Sequence, residues 1–401
     1  MDDLFIARQP IYNKKLIVMG YELLYRCSTV NEAIFEDGTQ ASCQTIVNAF
    51  MHIGVETITG SAMAFINLPE HFILNEELTL MFKEQCVLEI IEDIEPTPAV
   101  IVGLKNLKSR GFKLALDDFI FTPKHQPFVE LADFIKMDVL SLTEQEIQEQ
   151  LSHIKGFKGE LIAEKVETQE MYKLCQQYPF DHFQGYFFCH PEVVSQAHIP
   201  ANKMVLLNAL NKLQDPELDF DELEAILAQD VSLSYKLIRY VNSATFSLRR
   251  EIDSIKDVVV LLGIKNVKNW ITLIMMSSVS AEKPVELIST ALVRAKMCEL
   301  LAQKFYPDIS SHMFIAGLFT VLDALMDMSL EDLMDTVTLN IDIKMALLFR
   351  EGQHGEIINQ VLAYERSDWD GLNSATIPPS ACIETYLAAL KWADESTKAL
   401  A

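Results

Sequence analysis

No Cys-x-x-Cys pair and no Cys/His cluster at zinc spacing occurs anywhere in the 401-residue chain. Its seven cysteines, at 27, 43, 86, 175, 189, 298 and 382, are scattered and odd in number. That excludes a disulfide framework or a structural zinc and fits reduced thiols. Basic charge is also scarce: 33 Lys and Arg stand against 57 Asp and Glu, a formal net charge of −24. A nucleic-acid backbone needs a basic face, so direct DNA binding is not expected, although local cations and a metal can still hold a small nucleotide. The opening Met-Asp-Asp lacks the basic start of a signal peptide. Apolar segments such as 258–264 and 271–276 are too short to span a bilayer. A cytoplasmic location with no membrane association is expected. Low-complexity stretches, polybasic runs and repeats are absent too.

What the chain does have is apolar content, 50% hydrophobic against 22% charged. That supports real cores, and the length suits two domains. In the first half, strand-like runs (5–11, 17–25, 62–67, 86–91, 113–116, 134–137, 161–163 and 183–188) alternate with helix-like stretches (41–53, 98–109, 143–154 and 168–176). Such alternation is the signature of an α/β fold, and about eight strands point to a TIM-like closed barrel. Only residues 12–16, around Asn13, separate the first two strands, so the barrel is expected to open with an irregular hairpin.

Polar residues gather at the strand ends. Glu22 lies in the second strand, Asn67 ends the third, and Glu89 and Glu92 close the fourth. Asp117 and Asp118 follow the fifth, in KLALDDF. Lys136 and Asp138 end the sixth, Glu164 and Glu167 the seventh, and Gln184 opens the eighth. Any one of these reads as a solvated loop charge or, for the aspartates, a helix N-cap. Seven strand ends agreeing is harder to explain that way. Barrels build active sites at this face, and carboxylates with an amide suit oxygen ligation of Mg²⁺ or Mn²⁺.

These blocks resemble the EAL domain, the cyclic di-GMP phosphodiesterase family. RQPIYNKKLIVMGYELLYR (8–26) is similar to its opening, with ELL for Glu-Ala-Leu. FIN (65–67), EIIE (89–92), LDDF (116–119), IKMD (135–138), IAEKVET (162–168) and FQGYFF (183–188) follow in the family's order. The resemblance implies that Glu22, Asn67, Glu89 and Asp117 ligate one metal, and Asp117, Asp118 and Glu164 a second. It implies that Lys136 contacts the attacking water, that Gln184 is a nearby polar contact, and that Gln9 and Arg26 touch the nucleotide. Two metals flanking a phosphodiester would activate the water and stabilise the leaving oxygen, with Lys136 offsetting charge. The chain departs from the family at two places. Ile120 and Pro123 stand in a shorter loop, DDFIFTPKHQPF, where the family has a glycine- and serine-rich one anchored by the residue matching Glu92. Lys165 stands where the family has the glycine of Ala-Glu-Gly-Val-Glu.

Beyond about 196–203 helical patterns take over (202–212, 220–229, 233–242, 255–262, 267–279, 285–305, 330–335 and 383–398), giving expected domains at 1–198 and 199–401. Asp253 and Ser254 read as helix-capping residues, and Asn242–Ser243 as a helix-ending turn. The segments 229–246 and 254–270 resemble the HDOD domain, an all-α relative of the HD phosphohydrolases. The His-Asp pair of those hydrolases falls on Thr320 and Val321 in GLFTVLDA (317–324), neither of them a useful divalent-metal ligand. Asp323 and His312 read as structural, and Met275, Met276 and the Leu-Met stretch of 322–334 as core. The expected protein is therefore a bacterial signalling protein, with neither a receiver domain nor a GGDEF signature. Its barrel binds cyclic di-GMP and hydrolyses it with two divalent ions, or serves without turnover as a nucleotide receptor or a scaffold. The helical domain would be a non-catalytic interaction module for an unknown protein partner, and the barrel face allows a homodimer.

Overall fold

The computed structural model describes residues 4–27, 54–74, 85–190, 201–215, 217–228, 231–242, 252, 254–279, 283–373 and 375–400. The chain divides into two compact units, Met1–Phe187 and Phe188–Ala401. The expected helix at 41–53, the boundary at 198/199, the turn at Ser243 and the cap at Asp253 lie outside the described residues.

The first unit is a closed eight-stranded barrel: β1 (Leu4–Asn13), β2 (Val18–Cys27), β3 (Met63–Leu68), β4 (Cys86–Ile90), β5 (Lys113–Leu116), β6 (Phe134–Asp138), β7 (Glu160–Glu164) and β8 (His182–Gln184). β1 runs antiparallel to both β2 and β8, and all other neighbours are parallel. The hairpin is irregular as expected. Asn13 Oδ1 accepts from the amides of Lys15 and Ile17, which makes the tight connection, and Leu16 sits at φ +56. β8 stops at Gln184 instead of running to 188. Gly185 takes φ +149 and Phe187–Cys189 forms a 3₁₀ turn, so the run FQGYFF is buried, apart from the half-buried Tyr186, without being all strand.

Between strands lie the helices Pro98–Ser109, Glu144–His153 and Gln169–Cys175, each opened by a threonine (Thr97, Thr143, Thr168) whose hydroxyl accepts a first-turn amide. Ile11, Phe65, Val87, Ala115, Phe134 and Ile162 pack together as one buried layer. Adding a Cβ to Gly20 would bring it within 2.8 Å of the Phe65 ring, so only glycine leaves that ring its place.

The second unit is helical throughout its described residues. Its axis is Val285–Phe305, buried along most of its length and packed against Ser310–Leu318, Gly352–Glu365 and Pro379–Leu400. Ser254 caps Ile255–Leu262 through the Asp257 amide. Met276, Leu322, Leu325, Met326, Leu333 and Met334 are core, as expected. Helices Ser310–Leu318, Ile341–Phe349 and Gly352–Glu365 carry no clean apolar stripe, and the sequence pattern did not reveal them. Among the described residues one stretch, Pro307–Met326, is apolar and long enough to cross a membrane, and 67% of it is buried inside the protein, as a core helix would be.

Candidate active site

A strand's side chains alternate faces, so the residue two beyond a core position shares its side. Stepping two residues from the buried layer toward the mouth turns Phe65 into Asn67, Val87 into Glu89 and Ala115 into Asp117. Phe134 becomes Lys136 and Ile162 becomes Glu164. On the reversed strand β1 the same step runs backwards, from Ile11 to Gln9. Gln9 pairs with Glu22 across the ladder, and Asn67 with Glu89. One pleat therefore holds the hydrophobic layer and the next holds the polar ring.

The ring closes on Lys136. Its Nζ lies 2.6 Å from Glu89 Oε1, 2.6 Å from Glu164 Oε1, 2.7 Å from Asp117 Oδ1 and 3.1 Å from Glu22 Oε2. Lys136 and Glu89 are wholly buried, and Glu164 and Glu22 nearly so. An ammonium has three N–H donors, so it cannot serve four carboxylates at once. Gln184 Nε2 donates to Glu22 Oε2 at 2.5 Å and to Gln9 Oε1 at 2.9 Å. Burial pushes the Glu89 carboxyl well up and the Glu164 carboxyl up to about 8, with Lys136 pulling both the other way. Burial alone would lower Lys136, but the four carboxylates outweigh it and hold the ammonium well above its usual range.

The donor set fits a divalent cation. One oxygen each from Glu22, Glu89 and Asp117 lies within 4.8 Å of the others. Glu89 Oε2, Glu164 Oε2 and Gln184 Oε1 are buried without a hydrogen-bond partner. All are hard oxygen donors.

Asp118 turns away from this cluster at φ +42 and pairs with Lys165, which also reaches Asp138. The chain holds Asp117 and Asp118 apart: the Asp117 amide bonds to Ile90 O and the Phe119 amide to Lys136 O, tying this segment to β4 and β6. Arg26 lies on β2 opposite Phe5, and its side chain is outside the described residues. The short loop is built by Phe121 N–H on Gln150 Oε1, by Thr122 beside His125, and by Lys124 on Glu95 at 2.7 Å. These ties run to Glu95 and Gln150, while Glu92, the expected anchor, is exposed and borders the same cavity as Ile120, Thr122 and Lys124. A cavity of about 280 Å³ lies beside Asp117 and Asp118, walled by Ile90, Phe119 and Phe128. The reading of single residues missed the roles of Lys165 and Asp138. The signal was the adjacency of FIKMD and IAEKVE on neighbouring strands, where Asp138 pairs with Glu164.

In the helical unit Thr320 Oγ1 accepts from Arg294 Nη1 at 3.2 Å and Val321 is buried. Asp323 accepts the Ala324 amide and His312 stacks on His354, both structural roles.

Comparison with known proteins agrees with both halves. The EAL domain family model matches residues 28–191 and the HDOD domain model residues 199–341. The uncharacterized protein YuxH of Bacillus subtilis is 34% identical over 400 residues, covering 97% of each chain. The cyclic di-GMP phosphodiesterase CdgJ of Vibrio cholerae is 32% identical over 372 residues, covering 92% of this chain and 86% of its own. Among solved structures, the Bacillus subtilis YkuI protein with cyclic di-GMP and calcium shows 17% identity at a TM-score of 0.40, covering 64% of this chain and 70% of its own. An EAL domain protein from Listeria monocytogenes shows 22% identity at a TM-score of 0.37, covering 46% and 87%. Those scores are too low to carry weight beside the strand topology and the sequence matches. With an EAL-type barrel followed by a helical HDOD region, and relatives aligned along nearly its full length, the chain belongs to the EAL–HDOD family.

Proposed function

We propose that the barrel binds cyclic di-GMP and cleaves one of its phosphodiester bonds to give the linear dinucleotide, while the HDOD region engages a protein partner without catalysis. The observation that carries this reading is the convergence of Glu22, Glu89, Asp117 and Glu164 from four strands on one buried ammonium. Four acids against one cation leave the site short of positive charge, which a divalent ion, Mg²⁺ or Mn²⁺, supplies together with Lewis-acid activation of water. Glu22, Glu89 and Asp117, with Asn67 beside Glu89 on the next strand, would hold it. Lys136 positions these carboxylates and offsets negative charge on the phosphate. Gln184 orients Glu22, and Gln9 and Arg26 are the proposed nucleotide contacts. The name of the Vibrio relative supports this substrate. A cytoplasmic location goes with this reading.

The test is incubation of the full chain with cyclic di-GMP and Mn²⁺ or EDTA, with nucleotides separated by chromatography. Linear product that needs Mn²⁺ and is lost in Glu22→Ala is expected. Turnover unaffected by Glu22→Ala would overturn the assignment of the site.

A further inference from the structure

At the barrel mouth Asp118 and Lys165 carry side chains on backbone that L-residues seldom adopt, at φ +42 and φ +54. Each costs on the order of 1 kcal/mol, so the surroundings must impose it. At Lys165 they do. The next residue, Val166, donates its N–H to Gln184 O at 2.9 Å and accepts from the Phe187 amide at 3.2 Å. Gly185 packs so closely that a Cβ there would lie 2.0 Å from Val166 O. This turn cannot relax, and it aims the Lys165 ammonium at acids on the two preceding strand ends. Nζ donates to both oxygens of Asp118, at 3.0 and 3.2 Å, and to Asp138 Oδ2 at 2.8 Å. A divalent ion on Asp118 would need the same oxygens, both of them taken by Lys165, whereas the cluster around Lys136 keeps buried carboxylate oxygens with no donor, Glu89 Oε2 and Glu164 Oε2.

We propose that Lys165 is a built-in cation standing in the place of a second divalent ion, so that the barrel takes up one ion, at Glu22, Glu89 and Asp117, and not two. The inference rests on the metal-dependent reading given above. An ammonium brings one charge where the ion brings two. Its donors are engaged by Asp118 and Asp138, and it has no open coordination position for water or for a phosphoryl oxygen. On this side of the site the chemistry is reduced to electrostatics: Lys165 can offset charge but cannot acidify a bound water. In exchange, Asp118 is held in place at any metal concentration.

Equilibrium dialysis of the full chain against saturating Mn²⁺, with bound manganese counted per chain, tests this directly. One ion is expected in the wild type and in Lys165→Arg, which keeps the charge. Two are expected in Lys165→Gly, which removes the ammonium and relieves the backbone, and none in Glu22→Ala. Two ions in the wild type, or one in Lys165→Gly, overturn the inference and leave the phosphodiesterase reading standing. No bound ion in any form overturns both. Should Lys165→Gly fail to fold, paramagnetic resonance of the Mn²⁺-loaded wild type decides: an isolated-ion spectrum is expected, and a spin-coupled pair overturns the proposal.

Discussion

Among the described residues each unit buries one cation, Lys136 in the barrel and Arg294 in the helical unit, and the two are balanced differently. In the helical unit Arg294 pairs with Glu365 through two parallel bonds of 2.6 and 2.7 Å, with Thr320 Oγ1 at 3.2 Å and Cys189 Sγ at 3.8 Å also among its partners. In the barrel Lys136 faces four carboxylates, and several of their oxygens have no donor. A balanced buried pair is complete within the protein and needs nothing more. An unbalanced one stores electrostatic cost that a ligand of opposite charge relieves. The same ingredients thus build a strut in one unit and a site in the other, and the count of charges separates them.

The sharpest way to break this contrast is to remove each cation. Lys136→Met leaves three buried glutamates and the partly buried Asp117 without their ammonium, and Arg294→Met takes from Glu365 the guanidinium it bonds twice; truncating one partner of a buried pair costs about 3–5 kcal/mol. The barrel variant should lose the most, failing to fold at neutral pH without a divalent ion and regaining stability with Mn²⁺. The helical variant should not respond to Mn²⁺, but adding Glu365→Met should restore most of its loss, because a matched pair can be replaced by apolar groups at little net cost. All three tryptophans, Trp270, Trp369 and Trp392, lie in the helical unit. Their fluorescence therefore reports that unit, while scanning calorimetry reports both. A Mn²⁺ response in Arg294→Met, or none in Lys136→Met, would remove the distinction.

The comparison also explains what the sequence revealed. The barrel's polar ring was legible because period-two strands put chemistry two residues from core, and KLALDDF, LEIIE and FIKMD display that step openly. The Arg294–Glu365 strut was not: its partners are 71 residues apart on helices with no clean apolar stripe. Lys165 was visible as a residue where a glycine belonged, yet its pairing with Asp118 depends on a strained turn that spacing cannot show. The end of β8 was misjudged for a related reason. The apolar residues there, Phe187 and Phe188, are buried without belonging to a strand.

A smaller effect is carried by protons. In the metal-free barrel the Glu164 carboxyl is pushed up to about 8 by burial, against the pull of Lys136 and with Asp117 and Glu22 pushing the same way as burial. The folded state therefore keeps a proton that the unfolded chain releases near the ordinary value of 4.5. By linkage, stability from this group is full below about 4.5 and is lost as pH rises toward about 8. An ion requires the ionised carboxylates, so it binds with proton release and more tightly at high pH. The barrel transition should fall by several degrees from pH 5.5 to pH 8 in EDTA, and the shift produced by Mn²⁺ should grow over the same window. Equal Mn²⁺ shifts at both pH values would show that the acids are already ionised and the imbalance already relieved.

The smallest expected difference tests the periphery of each cluster. Gln9 Oε1 accepts from Gln184 Nε2, which also donates to Glu22 Oε2. Thr320 holds the corresponding outer place beside Arg294. Gln9→Ala and Thr320→Val each remove one partner of a hydrogen bond, and each should cost about 1 kcal/mol in urea unfolding. Their consequences should part at the ligand. Without Gln9, Gln184 keeps only one acceptor and can swing, so Glu22 loses its fixed orientation; Mn²⁺ affinity and cyclic di-GMP affinity should both weaken, by several-fold rather than completely. Thr320→Val should leave both affinities unchanged, because Arg294 keeps its two bonds to Glu365 and takes no part in the barrel cluster. If Gln9→Ala lowered stability but not affinity, Gln9 would be a strut like Thr320, and the site would end at Glu22.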